Sequence, residues 1–317
     1  MYFPYLRGRQ FELIAVRELA ELGLLSRRIL PIIEPVRLSA ALLKTLETCR
    51  EQDYILGLVR NPQVGSMIKE LADPKNEQEG ERFREALRQG AIMPVLCAEP
   101  ELTEQLKWLA QEGIGQESVA VVCVAVDAIG EIDQAFGAEK PRFVFIPDES
   151  LFRRRLQRSA DSVMFMDRFP KRSRNVDYLT TQDEHFSLDH LYYKEEGYVG
   201  FSDYSIAGSE YSESGFAPYA IAIHIVYLAD DQSLRVRHFV SDTNDDIRDP
   251  AGKFSEALEK LVQWNAGRTA KLDTYGIRML EELYNSRSYP GLGTVKKLCI
   301  MHHLETMSRF LEGDDAR

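Results

Sequence analysis

Short apolar runs, each closed by a polar or charged residue and followed by a stretch with helical periodicity, recur at near-regular spacing through the first half of the chain. Phe3–Leu6 ends at Arg7, Ile29–Ile33 at Glu34, and Tyr54–Val59 at Arg60 and Asn61. Ile92–Cys97 ends at Glu99, Val119–Val126 at Asp127, and Phe143–Ile146 at Asp148. Uninterrupted apolar runs are what strands buried on both faces require, and the amphipathic stretches between them supply the crossovers that parallel strands need. Such units in series predict a TIM-barrel-like (β/α) barrel, with the residues after each strand gathered at one mouth.

The helical stretches carry their own punctuation. Gln10–Leu22 places Phe11, Ile14, Ala15, Glu18 and Leu22 at helical spacing before Gly23, and Ser39 opens a second helix. Asp73-Pro74 breaks the third helical region into two helices or a kinked one. Thr103 is the expected N-cap of a helix ending at Gln111. Beyond Ser150 the repeat becomes irregular. Leu151–Arg158 reads as helix, Val163–Met166 and Tyr198–Tyr204 as strands, and 168–197 as a long insertion loop at or near the mouth. Tyr219–Leu228 and Leu234–Val240, joined by Ala229–Ser233, predict an antiparallel hairpin that a regular barrel lacks. Helices over about Ala251–Trp264, Thr274–Tyr284 and Gly293–Leu311 close the chain, so 251–311 is a helical end to one barrel-like domain spanning 1–317.

Composition narrows the class. No apolar run approaches the ~20 residues that span a bilayer, and the opening MYFPYLRGRQ lacks the apolar segment of a signal peptide. Cys49, Cys97, Cys123 and Cys299 have no metal-ligand spacing and read as reduced thiols, which places the protein in the cytoplasm, away from membranes. A net charge of −11 argues against a surface that coats nucleic acid. One stretch runs against that balance. Arg153, Arg154, Arg155, Arg158, Arg168, Lys171, Arg172 and Arg174 are opposed only by Asp161 and Asp167. It is either a solvated face or a docking patch for an acidic partner or a phosphate backbone, with nucleic acid reached only indirectly or through this patch.

Three segments carry a resemblance. The opening YFPYLRGRQFELIAVREL with ILPIIEPV, the middle GFSDYSIAG, and the ending YPGLGTVKKLCIMHHLETMSRFL resemble the bacterial and phage "beta family protein" group. The resemblance implies a TIM-barrel-like fold. It also implies a prokaryotic defence or mobile-element setting, in which the protein works with a nuclease-like partner. It supplies no catalytic residue, substrate or activity.

Candidate chemistry centres on the strand-end ring. Arg7, Glu34, Arg60, Asn61, Glu99, Asp127, Asp148 and, after a later strand, Asp203 are expected at one mouth. Arginines read phosphate bidentately and carboxylates can hold Mg²⁺, so the ring suits a phosphorylated or nucleotide-like ligand, with Glu34, Asp148 and Asp203 as candidate catalytic groups. Equally, the charges could neutralise one another over the core. Glu34 and Asn61 each precede a proline, which favours extended backbone there. Glu34 is expected within salt-bridge reach of Arg7 or Arg60.

Elsewhere, 183–190 offers His185 and His190 among carboxylates without metal-ligand spacing, and Asp242–Asp246 lacks the Gly and Glu of a calcium loop. His224 is expected as a hydrogen-bonded position inside or lining the barrel. Of His302 and His303, at most one is expected to face inwards. The chain has no Walker loop, Gly-x-Gly-x-x-Gly, Gly-x-Ser-x-Gly, Cys-x-x-Cys or strand-linked Glu-x-Lys.

Overall fold

The computed structural model describes residues 1–89, 92–157, 160–213 and 218–313. Arg158 of the expected basic patch lies outside them. Eleven strands occur among the described residues: β1 (Tyr5–Leu6), β2 (Ile32–Ile33), β3 (Leu56–Val59), β4 (Ile92–Cys97), β5 (Ala120–Val122), β6 (Phe143–Ile146), β7 (Ser162–Phe165), β8 (Asp183–Ser187), β9 (Gly200–Ser202), β10 (Ala222–Leu228) and β11 (Leu234–Val240). The chain divides into two compact units. Residues 1–13, 27–167 and 189–204 form the first, and 14–26, 168–188 and 205–317 the second.

The first unit is the TIM-barrel-like body. Eight parallel strands follow in the order β1-β2-β3-β4-β5-β6-β7-β9, with helices as crossovers, including Ala40–Glu51, Glu77–Gln89, Leu102–Gln111 and Ile129–Phe136. The barrel is nearly closed. At its one seam Tyr2 bridges both Ile29 and Phe201, and Phe3 N donates to Phe201 O at 2.9 Å.

Alternation along the strands decides what fills the interior. Phe3, Tyr5, Ile32, Val95, Phe145 and Phe165 point inwards and pack as one core. Gly200 is required there, because a Cβ would stand 2.5 Å from the Phe3 ring. Several local expectations are corrected. The run Val119–Val126 is a strand only over Ala120–Val122, after which a 3₁₀ turn at Val126–Ala128 carries Asp127. Glu101, not Thr103, precedes the helix Leu102–Gln111 and makes no side-chain cap. Asp73-Pro74 does separate two helices, Met67–Ala72 and Glu77–Gln89, with a 3₁₀ turn between.

The second unit is built on an antiparallel sheet ordered β10-β11-β8. The hairpin stands as expected, with Ala222 opposite Val240 and Leu228 opposite Leu234. Its third strand, β8, falls within 168–197, so that segment is not simply a loop. It also holds a 3₁₀ helix, Asn175–Thr180, and a short helix, Asp189–Tyr192, the latter belonging to the barrel unit. Helices Pro250–Ala266, Tyr275–Ser286 and Leu292–Glu312 complete the second unit.

His302 and His303 are both fully buried, against expectation. Helix Leu292–Glu312 is buried on more than one side, so neighbouring residues that point about 100° apart can both face protein. His302 lies 2.7 Å from Thr274 Oγ1 and 2.8 Å from Val226 O, and His303 lies 2.8 Å from Ser205 Oγ. Burial drives the His302 imidazole down to about 4.

Candidate functional site

At the barrel mouth, Glu34 is fully buried at the end of β2. Oε2 accepts from the Tyr5 hydroxyl at 2.7 Å and from Arg7 Nη1, while Oε1 accepts from Gln63 N at 2.7 Å. Arg7 also stands over the rings of Tyr5 and Tyr204, 5.6 and 5.3 Å from their centroids. The expected Glu34–Arg7 pair is therefore present. Two features of the loops place it. Gly8, at φ +61°, lets the chain pass where a Cβ would stand 2.8 Å from Glu34 O. The loop after β3 then brings the Gln63 amide to the carboxylate. Burial first, then electrostatic coupling to Cys97 and Glu34, raises the Tyr5 hydroxyl well above its ordinary range, and burial pushes the Cys97 thiol up to about 12, which keeps it neutral.

The remaining ring residues disperse. Arg60 pairs with Glu112 at 3.2 Å and lies 4.6 Å over the Trp108 ring, so it does not share Glu34. Asn61 spans two strand ends, donating to Cys97 O at 2.9 Å and accepting from Cys97 N at 2.8 Å. Glu99 is half-buried, near enough to Cys97 to help raise its thiol. Asp148 accepts from Arg153 and from the Tyr198 hydroxyl. Asp127 is exposed on its 3₁₀ turn.

Asp203 requires a correction. Strand alternation puts it on the outer face with Phe201, where it accepts from the Tyr2 hydroxyl at 2.9 Å and Phe201 stacks on the Tyr2 ring. The inward neighbours are Ser202, which donates to Phe3 O, and Tyr204. At the mouth, Tyr5, Arg7, Glu34 and Gln63 are thus bonded to one another, while the other expected ring residues bond elsewhere or, like Asp127, are exposed.

The basic stretch is similarly neutralised. In the barrel unit Arg153 and Arg155 pair with Asp148 and Asp133, and Arg154 is exposed. In the second unit Lys171, Arg172 and Arg174 pair with Glu210, Glu184 and Asp177. Asp242 and Asp246 face Lys260 and Arg248. Among the described residues, no group of three or more His, Cys, Asp and Glu side chains is arranged to hold a metal ion.

A different constellation lies in the second unit. His224 on β10 and His238 on β11 are directly opposite, with Nδ1 atoms 2.7 Å apart. His238 Nε2 is 3.2 Å from Glu184 Oε1 on β8, and Arg172 donates to Glu184 Oε2 at 2.7 Å. The rings of Tyr178 and Phe169 pack edge-on against His224, 4.7 and 5.1 Å away. Burial, then His238, drives His224 down to about 3. Burial drives His238 down to about 4 against the opposing attraction of Glu184.

Beside the histidines is a cavity of about 300 Å³. Its walls include Phe169, Tyr178, His224 and Cys299, and among the described residues its charged lining is Lys171, Arg172 and Lys296, with no carboxylate. Burial holds the Cys299 thiol up at about 12. The sequence marked His224 as polar on an apolar strand but tied it to the barrel. Glu184 was marked only as one carboxylate of the 183–190 run and His238 carried no local signal, because their meeting depends on β8 pairing with β11.

No protein-family model, curated protein or solved structure matches this chain. Its class rests on its own geometry: an α/β protein with a TIM-barrel-like unit and a second unit built on a three-stranded antiparallel sheet. Among the described residues, no helix is long and apolar enough to cross a membrane.

Proposed function

We propose that this protein binds a small anionic molecule in the cavity of its second unit. The observation that carries this is the lining: among the described residues, three cations and no carboxylate around an aromatic-walled space of about 300 Å³. That volume is at the lower end of what small-ligand sites occupy. Lys171 does pair with Glu210, but Glu210 is 78% exposed, and such surface pairs are worth little and exchange readily for a better anion. Arg172 faces Glu184 here, as Arg7 and Arg60 face Glu34 and Glu112 at the barrel mouth, so the difference that favours this cavity for the phosphorylated ligand is Lys171, whose partner Glu210 is exposed. The test is calorimetric titration of the full chain with inorganic phosphate and with small phosphate esters and hydroxycarboxylates. Saturable binding is expected, weakened at least about tenfold by Lys171→Gln/Lys296→Gln, the loss of two charged contacts. No heat from any of them at millimolar concentration would refute the proposal.

A second reading follows the setting that the segment resemblance implies, in which the protein docks a nuclease-like partner. Val124, Val126 and Leu151 favour it. They are 57%, 49% and 43% exposed after the adjacent strands β5 and β6, and Leu151 shares the helix Ser150–Leu156 with Arg154. Exposed apolar groups beside a cation are a common composition for a contact surface.

A further inference from the structure

The hydrogen bonds of the histidine pair fix where each proton sits, and that arrangement discriminates among anions. Two neutral imidazole nitrogens 2.7 Å apart require one to carry a hydrogen and the other a lone pair. Glu184 determines which. A carboxylate only accepts, so His238 carries its hydrogen on Nε2, facing Glu184 Oε1 at 3.2 Å. The His238 Nδ1 is then a lone pair, and His224 donates to it from Nδ1. That leaves His224 Nε2 without a hydrogen.

His238 is 2% exposed, whereas His224 is half-buried and lines the cavity. The lone pair is therefore the polar feature that the pair offers to a ligand. Glu184 is held in place by Arg172 and by Thr181 Oγ1 at 3.2 Å, and the Tyr178 and Phe169 rings fix the imidazole plane. The groups around His224 are Lys171, Arg172, Lys296, His238, Tyr178 and the Cys299 thiol. Burial first, then His238, opposes a charge on the ring.

We propose that His224 Nε2 is a specificity-determining acceptor that admits only anions retaining a hydrogen of their own, with phosphate in a protonated form as the chemical class. This rests on the anion-binding reading above. A bound phosphate places its anionic oxygens towards the cations and its hydroxyl towards His224. Sulfate has the same size and shape but no hydrogen near neutral pH, so one of its oxygens would face the imidazole lone pair. Sites built around one such hydrogen bond reject the analogue that lacks it by up to about 10⁴–10⁵-fold.

The test is calorimetry on the full chain at neutral pH with inorganic phosphate, sulfate and glycerol phosphate. Inorganic phosphate is expected to bind at least about a hundredfold more tightly than sulfate, a conservative fraction of that range. A phosphate monoester loses its last proton near pH ~6, so glycerol phosphate should bind below that pH and weaken above it, while free phosphate does not. This separates ester-borne from free phosphate as the source. His224→Phe should bring the phosphate-to-sulfate ratio close to one. Glu184→Gln can donate to His238 Nε2, which reverses both imidazoles, presents N–H from His224 and favours sulfate. If that variant does not fold, ¹⁵N spectra of the histidine-labelled native chain decide the point. They should show His224 protonated on Nδ1 and His238 on Nε2. Equal binding of phosphate and sulfate, or a hydrogen on His224 Nε2, overturns this inference alone. If neither anion binds, this inference falls, and the anion-binding reading falls with it only when phosphate esters and hydroxycarboxylates also give no heat.

Discussion

Replacing Glu34 by leucine tests the account of the barrel mouth most directly. Glu34 is fully buried, its partner Arg7 has a side chain only 14% exposed, and three donors converge on the carboxylate. Glu34→Leu strands the Arg7 guanidinium in a largely dry site, which costs about 3–5 kcal/mol. Tyr5, 3% exposed, loses the acceptor of its hydroxyl, for about 1 kcal/mol more. Gln63 is exposed, so water replaces the lost acceptor there at little cost. The expected loss is about 4–6 kcal/mol, comparable with the whole stability of many domains.

The double variant Glu34→Leu/Arg7→Met removes the stranded charge and should recover about 3 kcal/mol of that loss. Recovery is incomplete because the Tyr5 hydroxyl stays unpartnered and the guanidinium contact with the Tyr204 ring is lost. The assay is urea unfolding followed by tryptophan fluorescence. The two tryptophans fall one in each unit, so a Trp264→Phe background leaves Trp108 reporting on the barrel. A loss below about 1 kcal/mol for the single variant, or a double variant no more stable than the single, would refute the reasoning.

Acid should destabilise the second unit before its carboxylates titrate. His224, His238 and His302 are held neutral at about 3, 4 and 4 in the folded chain, against 6.5 when unfolded. The unfolded chain therefore binds more protons, and stability falls as pH drops below 6.5, by up to about 1.4 kcal/mol per histidine per pH unit. A Trp264-reported urea midpoint that stays flat between pH 7 and 5 would contradict this. For the docking reading, a full-length bait carrying Val124→Ser/Val126→Ser/Leu151→Ser should lose at least about tenfold of its retention of a co-expressed nuclease-like partner, as burial of three side chains predicts. Unchanged retention would remove the basis for that reading.

The sequence by itself determined the elements and, in the first half, the topology. Continuous apolar runs such as Ile92–Cys97, separated by amphipathic stretches, can hardly be anything other than buried parallel strands with crossovers. The Glu34–Arg7 contact was legible for the same reason, because consecutive parallel strands lie side by side. Only the tertiary structure decided how the polar groups are shared. Asp203 looked like a fifth mouth carboxylate until the strand's alternation turned it outwards to Tyr2. Arg60 sits at a strand end as expected, yet its long side chain reaches Glu112 and Trp108 instead of Glu34. The histidine pair was the least visible in sequence. Glu184, His224 and His238 lie on three strands, and nothing local to 183–187 announces that it pairs with β11. Periodicity records which face a residue occupies. The neighbour it meets across that face depends on long-range pairing and register, and these exist only once the chain has folded.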